Sequence, residues 1–89
     1  MKYTIELSSH AEKAIHKKAL TEDDLIDALN KFISWTEKKD VNIDVTKMVG
    51  VWDGFYRIRL GDLRIILLVD YTRHVIFIER IGPRRDVYK

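Results

Sequence analysis

The arginines of this chain are confined to its second half. All seven follow residue 51, whereas eight of the nine lysines precede it. Five of the seven lie in two segments, FYRIRLGDLRIILLVD and IGPRRDVYK. A guanidinium group is planar, stays charged in proteins and donates hydrogen bonds in pairs, which matches two oxygens of one phosphate group. Because lysine would serve solubility equally well, this segregation indicates a selected site for an anion.

A two-residue turn at Gly61-Asp62 fixes how the arginines of the first segment face one another. Glycine in the first position suits a type II′ hairpin turn. Counting outward from the turn pairs Arg59 with Arg64, and the alternation of side chains puts both on one face together with Arg57. Because like charges directly opposite each other destabilise a sheet, we expect an anion to bridge the pair. The alternative is a solvated face on which arginine stems cover apolar neighbours.

Periodicity predicts the elements that position this face. Apolar residues alternate over residues 2–8, as in a strand, and the Ser9-x-x-Glu12 pattern is a capping box that should begin a helix. Acidic residues after Thr21 indicate the start of a second helix, whose apolar residues recur at helical spacing. The run 63–70 is almost continuously apolar, which is typical of a central strand.

Together these patterns predict a single α+β domain over residues 1–89, in the order β-α-α-β-β-β. The two N-terminal helices should pack on one face of an antiparallel sheet. Residues 39–54 are expected to form a connecting loop with at most a short strand near 45–49. Strands are predicted over residues 2–8, 55–60, 63–70 and 74–81, and helices over residues 9–19 and 21–38.

The composition and charge of the chain exclude some kinds of site and some classes of protein. The chain has no cysteine, which excludes disulfides and thiolate metal sites, and it has no glycine-rich phosphate loop, so we expect no cofactor. It lacks a signal-peptide pattern and any run of the roughly 20 apolar residues that a membrane span needs, so we expect a cytoplasmic protein. The net charge is −1 over residues 1–50 and +3 over residues 51–89. This asymmetry fits a domain with one anion-facing surface.

Three segments carry a resemblance to a known family. The stretch TKMVG, the hairpin YRIRLGDLRIILLVD and the C-terminal VIFIERIGPRRDVYK resemble the signature of the RelE/ParE superfamily, the toxins of bacterial type II toxin–antitoxin systems. The resemblance covers essentially the whole chain. It implies a ribosome-dependent endonuclease that cuts mRNA without a metal, through attack of the ribose 2′-hydroxyl on the adjacent phosphate. It further implies catalytic roles for Arg57, Arg59, Arg64, Arg84 and Tyr88, and RNA contacts for Arg85, Lys47 and Lys89.

The general base is the point at which this sequence departs from some relatives. Some members carry lysines at the positions of Arg57 and Arg59, and arginine cannot be deprotonated in a protein. Position 83, where relatives often have histidine or lysine, is Pro83. Tyr88 is one candidate base, because surrounding arginines would favour its ionised form. Its alternative role is to stack on an RNA base.

The resemblance also implies partners and leaves alternatives. A ParE-like inhibitor of DNA gyrase would share the fold and act by binding alone, and an inactive member would only bind its antitoxin. For the endonuclease, the implied partners are the ribosome with its mRNA and a cognate antitoxin. We expect an acidic, amphipathic antitoxin segment to cover the arginines or to dock near Trp35, beside Lys31 and Lys38.

Overall fold

The computed structural model describes residues 2–83 and residue 87, and the described residues form two helices and five strands. The α+β class and the β-α-α start are confirmed, and a fifth strand lies in the segment expected to be mainly a loop. The elements are β1 (Thr4–Leu7), α1 (Ser9–His16), α2 (Glu22–Thr36), β2 (Asp44–Lys47), a 3₁₀ turn (Gly50–Trp52), β3 (Tyr56–Leu60), β4 (Leu63–Asp70) and β5 (Val75–Pro83).

The strands form one sheet in the order β1-β5-β4-β3-β2. Strands β2 to β5 are antiparallel neighbours, whereas β1 runs parallel to β5, so the expectation of a wholly antiparallel sheet was wrong. The physical reason is the connection that follows β1. The two helices carry the chain from β1 to the opposite edge, where β2 begins, and the meander then ends beside β1. No short hairpin joins β1 to β5, so no turn forces these strands to be antiparallel.

Each helix begins at a residue whose side chain caps it, and each is followed shortly after its end by a residue in the left-handed conformation. The cap of α1 is Ser8 and not Ser9 of the expected capping box, and its hydroxyl accepts a hydrogen bond of 3.1 Å from an amide in the first turn. Thr21 caps α2 in the same way. Lys18 and Lys38 have φ values of 61° and 63°, and both helices end two residues before them. Neither described helix is long and apolar enough to cross a membrane.

One apolar core joins both helices to the same face of the sheet, which confirms that they pack together on one side. Phe32 and Leu29 of α2 are completely buried and are among its largest side chains. We call this face of the sheet the helix side. The strands contribute alternate residues to the helix-side core, namely Ile58, Ile65, Leu67, Ile76, Ile78 and Ile81.

A β-bulge at Glu79 changes the side-chain alternation of β5. Ile78 pairs with Leu67, but the next pair along the ladder is Ile66 with Arg80, so Glu79 is the extra residue. The hydroxyl of Ser8 donates a hydrogen bond to the carbonyl of Glu79, which ties the bulge to the start of α1. Without the bulge, a period of two would turn the side chain of residue 80 toward the helix side.

Candidate nucleic-acid interface

The hairpin register predicted from the Gly61-Asp62 turn is confirmed. Arg59 pairs with Arg64 and Arg57 with Ile66, and Gly61 has the positive φ, 61°, that the first turn position requires. The intervening isoleucines lie in the helix-side core, so the arginines project from the opposite face of the sheet. The arginine face is defined by Arg57, Arg59, Arg64 and, through the bulge, Arg80.

An acid flanks the like-charged pair. Asp44 of β2 lies directly opposite Arg59, so one row across the sheet reads Asp44, Arg59, Arg64. Opposite charges on neighbouring strands attract, so Asp44 offsets part of the repulsion between the arginines. The guanidinium group of Arg64 also turns back to the hairpin, where it donates to the carbonyls of Gly61 and Leu63 at 3.3 and 3.2 Å. The pair therefore has less need of a bridging anion than the sequence suggested.

A second row across the sheet holds Arg57 and Arg80 on either side of Ile66. The Nη2 atom of Arg57 donates to the hydroxyl of Thr46, its partner on β2, at 3.1 Å. Ile66 is completely buried although it lies outside the helix-side core. Arginine stems lie beside it on both neighbouring strands. In this row the arginine stems lie beside the apolar side chain of Ile66 and carry charged groups at their ends. The solvated-face alternative predicts the same arrangement.

Arg80 was missed by the sequence analysis. Its guanidinium carbon lies 5.7 Å from the centroid of the Trp52 ring, a cation–π contact, and Trp52 meets Phe55 edge to face at 5.4 Å. Trp52 belongs to the short 3₁₀ turn before β3, which brings it to the arginine face. The detectable signal was the three-residue spacing between Ile78 and Ile81, since two core residues three apart in a strand imply a bulge between them.

Lys47, which the sequence also predicted to contact RNA, does not join the arginine face. Lys47 pairs with Tyr56, which packs against the helix-side core, so the structure places Lys47 on the other side of the sheet. Four further predicted residues lie outside the described residues: Arg84, Arg85, Tyr88 and Lys89.

Four guanidinium groups on one face can bind several phosphates of an extended strand. Uncharged partners hold three of the four guanidinium groups in place. The Thr46 hydroxyl binds Arg57, two turn carbonyls bind Arg64, and the indole ring of Trp52 contacts Arg80. Among residues 2–83 and 87, no cluster of three or more histidine, aspartate or glutamate side chains could hold a metal ion. The guanidinium groups of the described face are suited to phosphate binding and charge stabilisation.

An aromatic groove of about 450 Å³ lies on the helix side, at the end of α2. Trp35 is 37% exposed there and contacts Tyr56 edge to face at 5.7 Å, while Tyr71 is 53% exposed. Burial raises the pKa of the Tyr71 hydroxyl above its usual value, and Tyr56 and Tyr3 raise it further. Tyr71 therefore holds its proton at neutral pH. Lys38 and Lys39 also line the groove, which contains Trp35 and Lys38 of the predicted docking surface, whereas Lys31 lines a separate pocket.

Solved structures of toxins share this fold. A metal-bound toxin from Helicobacter pylori has a TM-score of 0.68 at 16% identity, covering 96% of this chain and 98% of that chain. YafQ from E. coli strain BL21(DE3) has a TM-score of 0.62 at 15% identity, covering 99% and 100%. The archaeal RelE–RelB complex from Pyrococcus horikoshii OT3 contains a chain with a TM-score of 0.55 at 27% identity, covering 94% and 97%. The chain has the fold of the RelE-like toxins. No protein-family model and no curated protein sequence matches it.

The contribution of the contact between Arg80 and Trp52 to the stability of this RelE-like chain can be measured by substitution. Arg80→Gln should lower the free energy of unfolding by about 0.5–2 kcal/mol, because a half-buried cation–π contact is lost. Arg73→Gln is the matched control, since Arg73 is an exposed residue of the β4–β5 turn, and it should change stability by less than about 0.5 kcal/mol. Chemical denaturation measures both. Equal effects of the two substitutions would contradict the contact.

Proposed function

We propose that this chain is the toxin of a type II toxin–antitoxin system and that it stops translation by cutting mRNA on the ribosome. The observation that carries the proposal is the arginine face: four guanidinium groups on one side of a fold shared with known toxins. Those structural relatives support a toxin role. The ribosome, the mRNA and the cutting reaction rest on the resemblance of the hairpin and the C-terminal segment.

The proposed reaction needs charge stabilisation above all. The ribose 2′-hydroxyl attacks the adjacent phosphorus, the bond from phosphorus to the 5′-oxygen breaks, and the products are a 2′,3′-cyclic phosphate and a free 5′-hydroxyl. Negative charge grows on the phosphoryl oxygens in the transition state. Arg57, Arg59 and Arg64 are placed to face that charge, and preorganised cations of this kind are worth several kcal/mol of barrier. The hydrogen bonds to Thr46 and to the turn carbonyls restrict Arg57 and Arg64 before substrate binds.

A proton must also leave the 2′-hydroxyl and another must reach the 5′-oxygen. The arginines cannot accept a proton. Tyr88 remains one proposed acceptor of the 2′-hydroxyl proton. The structure adds a second candidate, Asp44, whose carboxylate stands next to Arg59 in the register and is exposed on the same face. A carboxylate is an ordinary general base when it lies within hydrogen-bond reach of the hydroxyl.

Two other activities fit the same fold. A gyrase inhibitor would use the arginine face as a binding surface and would make no cut, and an inactive member would only bind an antitoxin. The experiments below separate these activities from the endonuclease. They measure cleavage of translated mRNA and supercoiling by DNA gyrase in parallel.

Charge reversal on the arginine face should abolish toxicity. Arg64→Glu is expected to reduce mRNA cleavage in a cell-free bacterial translation extract by at least about 100-fold, because a cation that faces the reacting phosphate is replaced by an anion. Its free energy of unfolding should change by less than about 1 kcal/mol, since the residue is only partly buried and lies beside the hairpin turn. Mapping of mRNA ends measures the first quantity and denaturation the second.

Arg73→Glu is the matched control for this experiment. It reverses the same charge in the exposed β4–β5 turn, away from the arginine face, and should cut at the rate of the unmodified protein. Cleavage that survives Arg64→Glu would show that the active face lies elsewhere. Wild-type protein that leaves mRNA intact but blocks gyrase supercoiling would favour the ParE-like alternative.

Two conservative substitutions distinguish the proton acceptors. Tyr88→Phe keeps the ring and removes the hydroxyl, whereas Asp44→Asn keeps the shape and removes the charge. The variant that loses the general base should cut about 10²–10⁴-fold more slowly while binding mRNA-programmed ribosomes as before. Single-turnover cleavage and ribosome cosedimentation measure the two quantities. If neither variant slows cleavage, neither group moves the proton.

The aromatic groove is the proposed docking site of the antitoxin. Its exposed rings and two lysines suit an amphipathic segment that carries acidic residues. The open reading frame next to the gene should encode this partner, restore growth when coexpressed and copurify with the toxin. In the structural relatives, RelE of Pyrococcus horikoshii is in a complex with RelB.

Lys38→Glu combined with Lys39→Glu should weaken copurification of the antitoxin, because two attractive charges at the groove become repulsive. The control variant reverses Lys2 and Lys18, two exposed lysines that do not line the groove. Quantitative pull-down of the coexpressed partner measures the effect. Equal recovery with both variants would place the antitoxin on another surface, such as the arginine face.

A further inference from the structure

A second basic site lies between α1 and the end of β5. The pocket has a volume of about 200 Å³. Its basic side chains are His10 and Lys13 of α1 and Lys17, the residue that follows the helix; their spacings of three and four residues place them on one side of it. Apolar residues and the backbone of Gly82 and Pro83 form the rest of the wall.

The chemistry of this pocket favours an anion. None of the described residues that line it is acidic. The Nδ1 atom of His10 is buried and has no hydrogen-bond partner among the described residues. A buried nitrogen in that state is costly, so the imidazole of His10 has hydrogen-bonding capacity that the described residues leave unused.

The pocket adjoins the arginine face at one end of the sheet. Gly82, which lines the pocket, is the register partner of Arg64, and Pro83 is the partner of Leu63. Neighbouring strands lie about 4.8 Å apart, so the backbone of Arg64 is one strand spacing from the Gly82 backbone, while the Arg64 side chain and the pocket lie on opposite faces of the sheet. Gly82 has no side chain to divide the two sites. A chain of phosphates leaving the arginine face at the hairpin end can therefore pass over the edge of the sheet to α1.

We propose that the His10–Lys13–Lys17 pocket binds a backbone phosphate of the same single-stranded RNA that occupies the arginine face. This inference rests on the proposed function, because it assumes that RNA lies on that face. Continuity favours RNA over an acidic protein segment: one strand carries phosphates at regular intervals and can reach both sites. Lysine suits this role, since a phosphate held outside the reaction needs point charges and no bidentate geometry.

The test uses the full chain and RNA oligonucleotides with 2′-O-methyl groups, which cannot be cut by 2′-hydroxyl attack. The variant Lys13→Gln/Lys17→Gln is compared with the control Lys2→Gln/Lys18→Gln, which removes the same charge from exposed lysines outside the pocket. Binding is measured over a range of salt concentrations with oligonucleotides of about 4 and about 12 nucleotides. His10→Gln is a third variant, and thermal unfolding checks that all of them are folded.

The pocket variant should bind the longer RNA more weakly, with a slope of log K against log salt that is smaller by about 0.7 per lost phosphate contact. Its affinity for the short RNA, which fills only the arginine face, should match that of the control. His10→Gln should also weaken the longer RNA. Equal slopes for the pocket and control variants overturn the inference, as does a pocket variant that loses only antitoxin binding.

Different experimental results would reject this inference and the proposed function. Unmodified protein that binds neither RNA, or RNA binding that is insensitive to Arg64→Glu, would remove the basis of both. Binding that depends on Arg64 but is indifferent to the pocket would remove the inference alone.

Discussion

The two-residue turn between β3 and β4 is the constraint on which the arginine face depends. Strand side chains alternate with a period of two, so a shift of one residue would exchange the two faces of a strand. The positive φ of Gly61 closes the turn at that position and places Arg59 opposite Arg64. The same register sends Ile58 and Ile65 into the helix-side core. Burial of these isoleucines therefore stabilises the arrangement that collects the charges on the other face.

The bulge at Glu79 extends this arrangement to a second hairpin. It lets Ile78 and Ile81, three residues apart, both reach the core, and as a consequence it turns Arg80 to the arginine face. Its carbonyl is bound by the hydroxyl of Ser8, which also caps α1. One serine thus connects the position of the first helix with the position of a cation on the far side of the sheet.

Collecting like charges on one face costs stability, and the structure offsets part of that cost without neutralising the site. Asp44 supplies one opposing charge, while Arg64 and Arg57 donate to uncharged oxygens of the hairpin and of Thr46. Trp52 gives Arg80 a polarisable surface. Neutral acceptors fix the direction of a guanidinium group while leaving its charge available to a phosphate, which suits the proposed stabilisation of a transition state. Full ion pairing would have stabilised the fold and weakened this site.

Local rules were sufficient for both helices, for four of the five strands and for the first hairpin. The helix starts, the α+β class and the pairing of Arg59 with Arg64 follow from capping, periodicity and one glycine, because each depends on residues close together in the chain. The parallel pairing of β1 with β5, the place of Asp44 beside Arg59 and the approach of Trp52 to Arg80 join residues far apart, and only the packed sheet decided them. The bulge depends both on the local sequence and on the packed core. Its signal, the spacing of Ile78 and Ile81, is present in the sequence, but it becomes decisive only when the core requires both side chains on one face.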